Sequence, residues 1–187
     1  MDAIETLMAE HQQILGAIDA LEAYAGEALR GGGDAAELGQ FVTFIREFAD
    51  AHHHAKEEDL LFTAMIEAGF PRDSGPIGVM LQDHAQGRSY VGVLAALAQA
   101  PAPWSGADRE RLHAAALGYG ALLRAHIQKE DGILYPMAEA RLPAALRARV
   151  DAGAAAHDAR QVAAGVLPRL EALGAALVAR QGGTRPA

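Results

Sequence analysis

The sequence predicts an all-α chain folded as an up-down-up-down four-helix bundle with an additional C-terminal helix. Three observations carry this. Alanine and leucine dominate, β-branched residues are too few to build several strands, and four long helical stretches are separated by short glycine- and proline-rich breaks. Four long helices with short connections pack most simply as antiparallel neighbours.

The first helix spans about residues 2–29 and stops at Gly31-Gly32-Gly33, with Asp34 as N-cap of the second. The second spans about 36–68 and stops at Gly69, in the break GFPRDSGP. The third covers about 77–99 and ends at APAPWSG, after which Asp108 is the expected N-cap of a fourth helix over about 107–141. Pro143 closes the fourth. A fifth, about 144–180, contains Gly153 and Pro168, where a kink or break is expected, and would lie along the bundle or cap one end. One domain over 1–180 is expected, with 181–187 as a flexible tail.

The 187 residues include no cysteine, which excludes disulfides, thiolate metal sites, iron–sulfur clusters and cysteine nucleophiles. A net charge of −8 argues against a nucleic-acid partner. No apolar run approaches the ~18 residues of a membrane span, and Asp2 and Glu5 open the chain where a secretory signal would be basic and then apolar. A cytoplasmic protein without a membrane partner is expected. Eight histidines stand out, three of them consecutive at His52, His53 and His54.

An internal repeat sorts these histidines. His53-His54-Ala55-Lys56-Glu57-Glu58-Asp59-Leu60-Leu61-Phe62 aligns with His126-Ile127-Gln128-Lys129-Glu130-Asp131-Gly132-Ile133-Leu134-Tyr135 at an offset of 73. The same offset places Glu10-His11 on Asp83-His84, so residues 1–73 read as a copy of 74–146. Residues four apart share a helix face. The row Phe41, Ile45, Ala49, His53, Glu57, Leu61, Met65 is otherwise apolar, so His53 and Glu57 point inward. The row Arg46, Asp50, His54, Glu58, Phe62 is mostly polar, which puts His54 and Glu58 at the water or the rim. In the fourth helix both Leu122, His126, Glu130, Leu134 and Leu123, Ile127, Asp131, Tyr135 are apolar rows, so Glu130 and Asp131 are both candidates.

Four imidazoles and two carboxylates in a bundle core carry a large desolvation cost unless a cation offsets it. A sulfur-free set of imidazole and carboxylate suits iron, manganese or zinc. Two facing glutamates can bridge a metal pair, leaving about one open position per metal for a small ligand. Glu10 and Asp83 are placed to orient imidazoles. His157, on the fifth helix, is a candidate extra ligand or supporting group, whereas His52, His54 and His113 read as ordinary structural histidines.

The segments EHQQIL, HHHAKEEDLLF, MLQDHAQGR and HIQKEDGILYPMAE, from His11 to Met137, resemble the hemerythrin-like, or HHE cation-binding, family. That resemblance implies a four-helix bundle around two non-heme iron ions, with dioxygen, nitric oxide or peroxide at an open position. It makes His11, His53, Glu57, His84, His126 and Glu130 (or Asp131) the iron ligands, with repeat symmetry favouring Glu130. Manganese or zinc are lesser alternatives.

There are departures from the oxygen-carrying members. Those have two histidines four apart in the third helix, whereas here the partner positions of His84 are Met80 and Arg88. They also use histidine-x4-aspartate in the fourth helix, where this chain offers Glu130 as well as Asp131. A carboxylate-richer centre should favour the ferric state, which raises redox chemistry or sensing over reversible oxygen storage. Binding or reducing a small oxidant is the leading reading, in sensing or oxidative-stress defence. Catalase-like peroxide decomposition is the alternative, with iron oxidation or storage ranked below it because ferritin-like bundles use Glu-x-x-His, the reverse order.

Overall fold

The computed structural model describes residues 2–182, with side chains to residue 180. Among the described residues the chain is helical without strands, arranged as six helices. Helix α1 is Ala3–Leu29, α2 runs over 35–67, α3 is Gly75–Ala98, α4 runs over 106–141, α5 is Ala144–Ala163 and α6 is Val166–Gly182. Residues 183–187, most of the expected tail, lie outside the described residues, while 181 and 182 continue α6.

Local chemistry sets these boundaries. Asp2 caps α1 reciprocally with Glu5: its carboxylate accepts from the Glu5 N–H at 2.8 Å and Glu5 accepts from the Asp2 N–H at 3.1 Å. Asp34 caps α2, accepting from the Glu37 N–H at 2.9 Å. Gly31 and Gly69 sit just past helix ends with φ of 103° and 95°, in the left-handed region that favours glycine. At α4 the expectation needs correcting. Ser105 is the N-cap, and Asp108, three residues on, is its reciprocal partner.

The C-terminal segment also departs from the expectation of one helix broken at Gly153 or Pro168. The break falls at residues 164–165, where Gly165 takes φ of 70° and the chain turns by 81°. Gly153 lies inside α5, and a Cβ there would stand 3.0 Å from Leu60 Cδ2, so its smallness serves close packing on α2. Pro168 falls in the first turn of α6, where no intrahelical N–H is needed. Helix α5 covers one end of the bundle, with Asp151 accepting from the Ala3 N–H at 2.9 Å. Helix α6 lies lengthwise on α1 and α2, burying Leu170 and Leu177.

The apolar core is divided. One cluster, around Leu21, Tyr24, Phe41, Phe44, Phe48 and Leu112, fills the end nearest the 30–34 turn. A second, around Leu7, Leu61, Phe62, Met65, Ile77 and Tyr135, fills the other end. Between them all four bundle helices contribute buried polar side chains. No single helix among the described residues is long and apolar enough to cross a membrane.

Candidate metal centre

The polar layer forms where α2 and α4 leave α-helical geometry. Ile45–His54, Glu57–Phe62 and Glu130–Leu134 adopt π-helical i→i+5 hydrogen bonding, seen where the Ala55 N–H donates to the Asp50 carbonyl. The extra residue per turn widens the inward face. The predicted row from Phe41 to Met65 is buried throughout, and His52, His53 and His54 are buried together.

His11, His53, Glu57, His84, His126 and Glu130 are brought to one place, each 2% exposed or less. Two groups of converging ligand atoms result: His11, His53, Glu57 and Glu130, and His54, Glu57, His84 and His126. Glu57 is common to both. Glu130 also reaches across, with Oε2 at 3.3 Å from His11 Nε2 and 3.1 Å from His126 Nε2.

Each of the four repeated imidazoles has a carboxylate behind it. His11 Nδ1 donates to Asp131 at 2.8 Å, His53 Nδ1 to Glu10 at 2.8 Å, His84 Nδ1 to Glu58 at 2.8 Å and His126 Nδ1 to Asp83 at 3.3 Å. With Nδ1 turned to a carboxylate, Nε2 is the atom each ring presents to the centre, where a neutral imidazole could hold a metal. These contacts follow the offset of 73. Glu10 with His53 corresponds to Asp83 with His126, and Lys56 on Glu10 to Lys129 on Asp83. The other two pairs are crossed between halves, since Asp131 holds His11 and Glu58 holds His84.

Asp131 therefore stands behind His11, and Glu130 is the α4 carboxylate inside the layer. Glu58, expected at the rim, is only part-buried but turned onto His84 and Arg88. His54, read from sequence as ordinary, is 6% exposed and stacks on His84 with ring centroids 3.8 Å apart. His157 reaches neither group; it packs against His52 at 5.1 Å. His113 lies outside every group of candidate ligands among the described residues.

His52 was also missed, and it belongs to a neighbouring network. His52 Nε2 meets Glu10 Oε1 at 3.0 Å, and the buried Lys56 ammonium contacts Glu10, His52 at 3.3 Å and Asp158 of α5 at 3.0 Å. Glu10, His52 and Asp158 could by themselves gather a cation. The ammonium occupies that position, so this network already has its positive charge.

The central layer has no lysine or arginine of its own, and its residues fit a metal. Glu57 Oε2 and both Glu130 carboxylate oxygens are buried without a hydrogen-bond donor. His84 Nε2 and His126 Nε2 face each other at 3.1 Å. Burial and the charge of Glu57 push the Glu130 carboxyl well above its usual range. Burial also opposes the Glu57 charge, but His53, His84 and His54 hold that carboxyl well below its usual range. Burial pushes His126 down to about 4 and His54 to about 3. His84 is held up at about 9, because Glu57 and Glu58 outweigh its burial. Without a cation the layer divides its charge among protons; a bound metal would supply that charge to every orphaned oxygen at once.

The chain matches the family model Hemerythrin, described as the hemerythrin HHE cation binding domain, over residues 2–138. No curated protein and no solved structure matches it.

Proposed function

The chain belongs to the hemerythrin HHE cation-binding family, and from that premise we propose that it is a non-heme di-iron protein binding or reducing a small oxidant. Dioxygen, nitric oxide and peroxide are the candidates, with a role in sensing or oxidative-stress defence in the cytoplasm. The supporting observation is the set of four imidazoles whose Nε2 atoms converge on two buried carboxylates with donorless oxygens. In this reading His11, His53, Glu57 and Glu130 hold one iron, and His84, His126 and Glu57 the other, with His54 beside the second. Iron bound there supplies one-electron redox chemistry and an open coordination position for a small ligand.

The protein's own residues prepare that position. The carboxylates of Asp131, Glu10, Glu58 and Asp83 fix the imidazole tautomers and ring orientations. Tyr135 donates to Glu57 Oε1 at 2.7 Å and stacks on His11 with ring centroids 5.7 Å apart, closing the layer on that side. The apolar clusters at both ends exclude water, which strengthens every charge interaction within.

The sequence-based case for peroxide decomposition rested on an imidazole missing from the third helix. Met80 is buried and Arg88 turns outward to Asp50 and Glu58, so neither replaces it. His54 restores a fifth imidazole from α2, and the centre is not imidazole-poor. That favours ligand binding or reduction over disproportionation. Metal analysis of protein expressed with iron tests the reading, and about two iron ions per chain are expected. Less than roughly one per chain, or undiminished iron in a His53→Ala, His126→Ala double variant, would overturn it. Oxygen evolution from peroxide above that of free iron would favour the alternative.

A further inference from the structure

The offset of 73 pairs Tyr135 with Phe62, and the two rings pack alike. Tyr135 stacks on His11 with centroids 5.7 Å apart, and Phe62 stacks on His84, the counterpart of His11, at 6.1 Å. Each is 1% exposed. Phenylalanine therefore suffices for that packing, and the hydroxyl of Tyr135 is an addition with another use. It donates to Glu57 Oε1 at 2.7 Å; His11 Nε2, at 3.5 Å, is too distant to compete.

This hydroxyl acts unequally on two carboxylates that are themselves counterparts. Glu57 has Oε1 tied to the phenol. That leaves Oε2 as the atom it turns to both groups of imidazoles, 3.4 Å from His84 Nε2 and 3.8 Å from His53 Nε2. For Glu130 the counterpart ring is that of Phe62, which has nothing to donate, and both Glu130 oxygens lack a donor. Its close contacts are with His11 Nε2 at 3.3 Å and His126 Nε2 at 3.1 Å, atoms that a metal would claim. Moving Glu57 breaks a hydrogen bond between two buried groups and strands the hydroxyl. Moving Glu130 breaks none.

We propose that Tyr135 is a positioning residue whose hydroxyl makes Glu57 the fixed carboxylate of the centre and leaves Glu130 as the one that swings when metal binds. Glu57 then serves both metal positions through Oε2, in keeping with its place in both groups of ligand atoms. Glu130 is the carboxylate that can give up a contact to make room for a small molecule. This deepens the di-iron reading and rests on it for the identity of the metals, not for the difference between the two carboxylates.

The test compares crystal structures of the full chain without metal and loaded with zinc, which is redox-inert. The Tyr135 hydroxyl should hold Glu57 Oε1 in both, and the Glu130 oxygens should move further than those of Glu57. In Tyr135→Phe, zinc affinity should fall about 10–100-fold in a chelator competition, and Glu57 should move as Glu130 does. Lost packing cannot produce this, because phenylalanine fills the same place in the other half. Adding Phe62→Tyr to that variant transfers the hydroxyl: Glu130 should become the fixed carboxylate and Glu57 the mobile one, with the lost affinity recovered. If the double variant does not fold, Tyr135→Phe alone decides.

A zinc-loaded structure in which Glu57 leaves Tyr135 or moves as far as Glu130, or undiminished zinc affinity in Tyr135→Phe, would overturn the proposal. So would a folded double variant in which Glu57 stays fixed. Iron content on the same preparations separates the two ideas. Low iron with Glu57 fixed and Glu130 displaced in the zinc-loaded chain sinks the di-iron reading alone. Full iron with Glu57 displaced sinks the role of Tyr135 alone, and a chain that binds neither metal overturns both.

Discussion

Asp131 and Glu130 are neighbours with opposite jobs, and substitution should tell them apart. Glu130→Gln removes a charge from inside the layer and should cost about half the bound metal, read by metal analysis. Asp131→Asn leaves every inward atom in place but loosens His11; metal affinity should fall about 10–100-fold in a chelator competition, with stoichiometry restored at excess metal. The same residues set the pH behaviour of the metal-free chain. His126 and His54 are neutral when folded, with pKa values of about 4 and about 3, so the unfolded chain binds protons first as pH falls below about 6.5. Stability should drop across that window, His126 alone accounting for about 3 kcal/mol. In the opposite direction, the stability that charged His84 adds is complete below about 6.5 and is lost as pH rises through about 9. Melting temperatures of the metal-free chain should therefore peak near neutrality and fall on both sides.

At the scale of elements, the helices and their ends were largely legible because they depend on local chemistry: Asp34, Gly31, Gly69 and Pro143 act as their residue types suggest. The inward row through His53 and Glu57 was legible for the same reason, since a 3.6-residue period and apolar neighbours define it. His52 and His54 were not. Three consecutive residues spread too far around an α-helix to share one face, and nothing in the composition announces the π-turns that bring them together. Lys56 was hidden too, because its partners come from α1 and α5, distant in sequence. Its substitution tests that network: Lys56→Ala leaves Glu10 to His52 and His53 alone and should cost about 1–3 kcal/mol in urea unfolding. Close packing gives another check, since a Cβ on Gly174 of α6 would come 2.6 Å from the Phe44 ring. Gly174→Ala should destabilise by about 1–3 kcal/mol, read by the same method.

Across the whole molecule, the family match ends at residue 138, yet the helices beyond it are part of the packed structure. α5 sends Asp158 to Lys56, and α6 buries Leu170 and Leu177 against the bundle. Leu170→Ala should cost about 2–5 kcal/mol, measured by denaturant titration. Metal content should survive that change, because Leu170 packs in the apolar cluster outside the polar layer. The crossed pairs carry a consequence for ancestry and assembly. His11 depends on Asp131 and His84 on Glu58, so a single two-helix half holds an imidazole whose orienting acid is elsewhere. Two identical halves related by a twofold axis would satisfy each other. The present chain thus has the logic of a homodimer whose subunits became fused, and whose copies then diverged: His54 on one side has Ile127 as its counterpart on the other. Through this difference and that of Phe62 from Tyr135, a symmetric scaffold acquired two unlike faces.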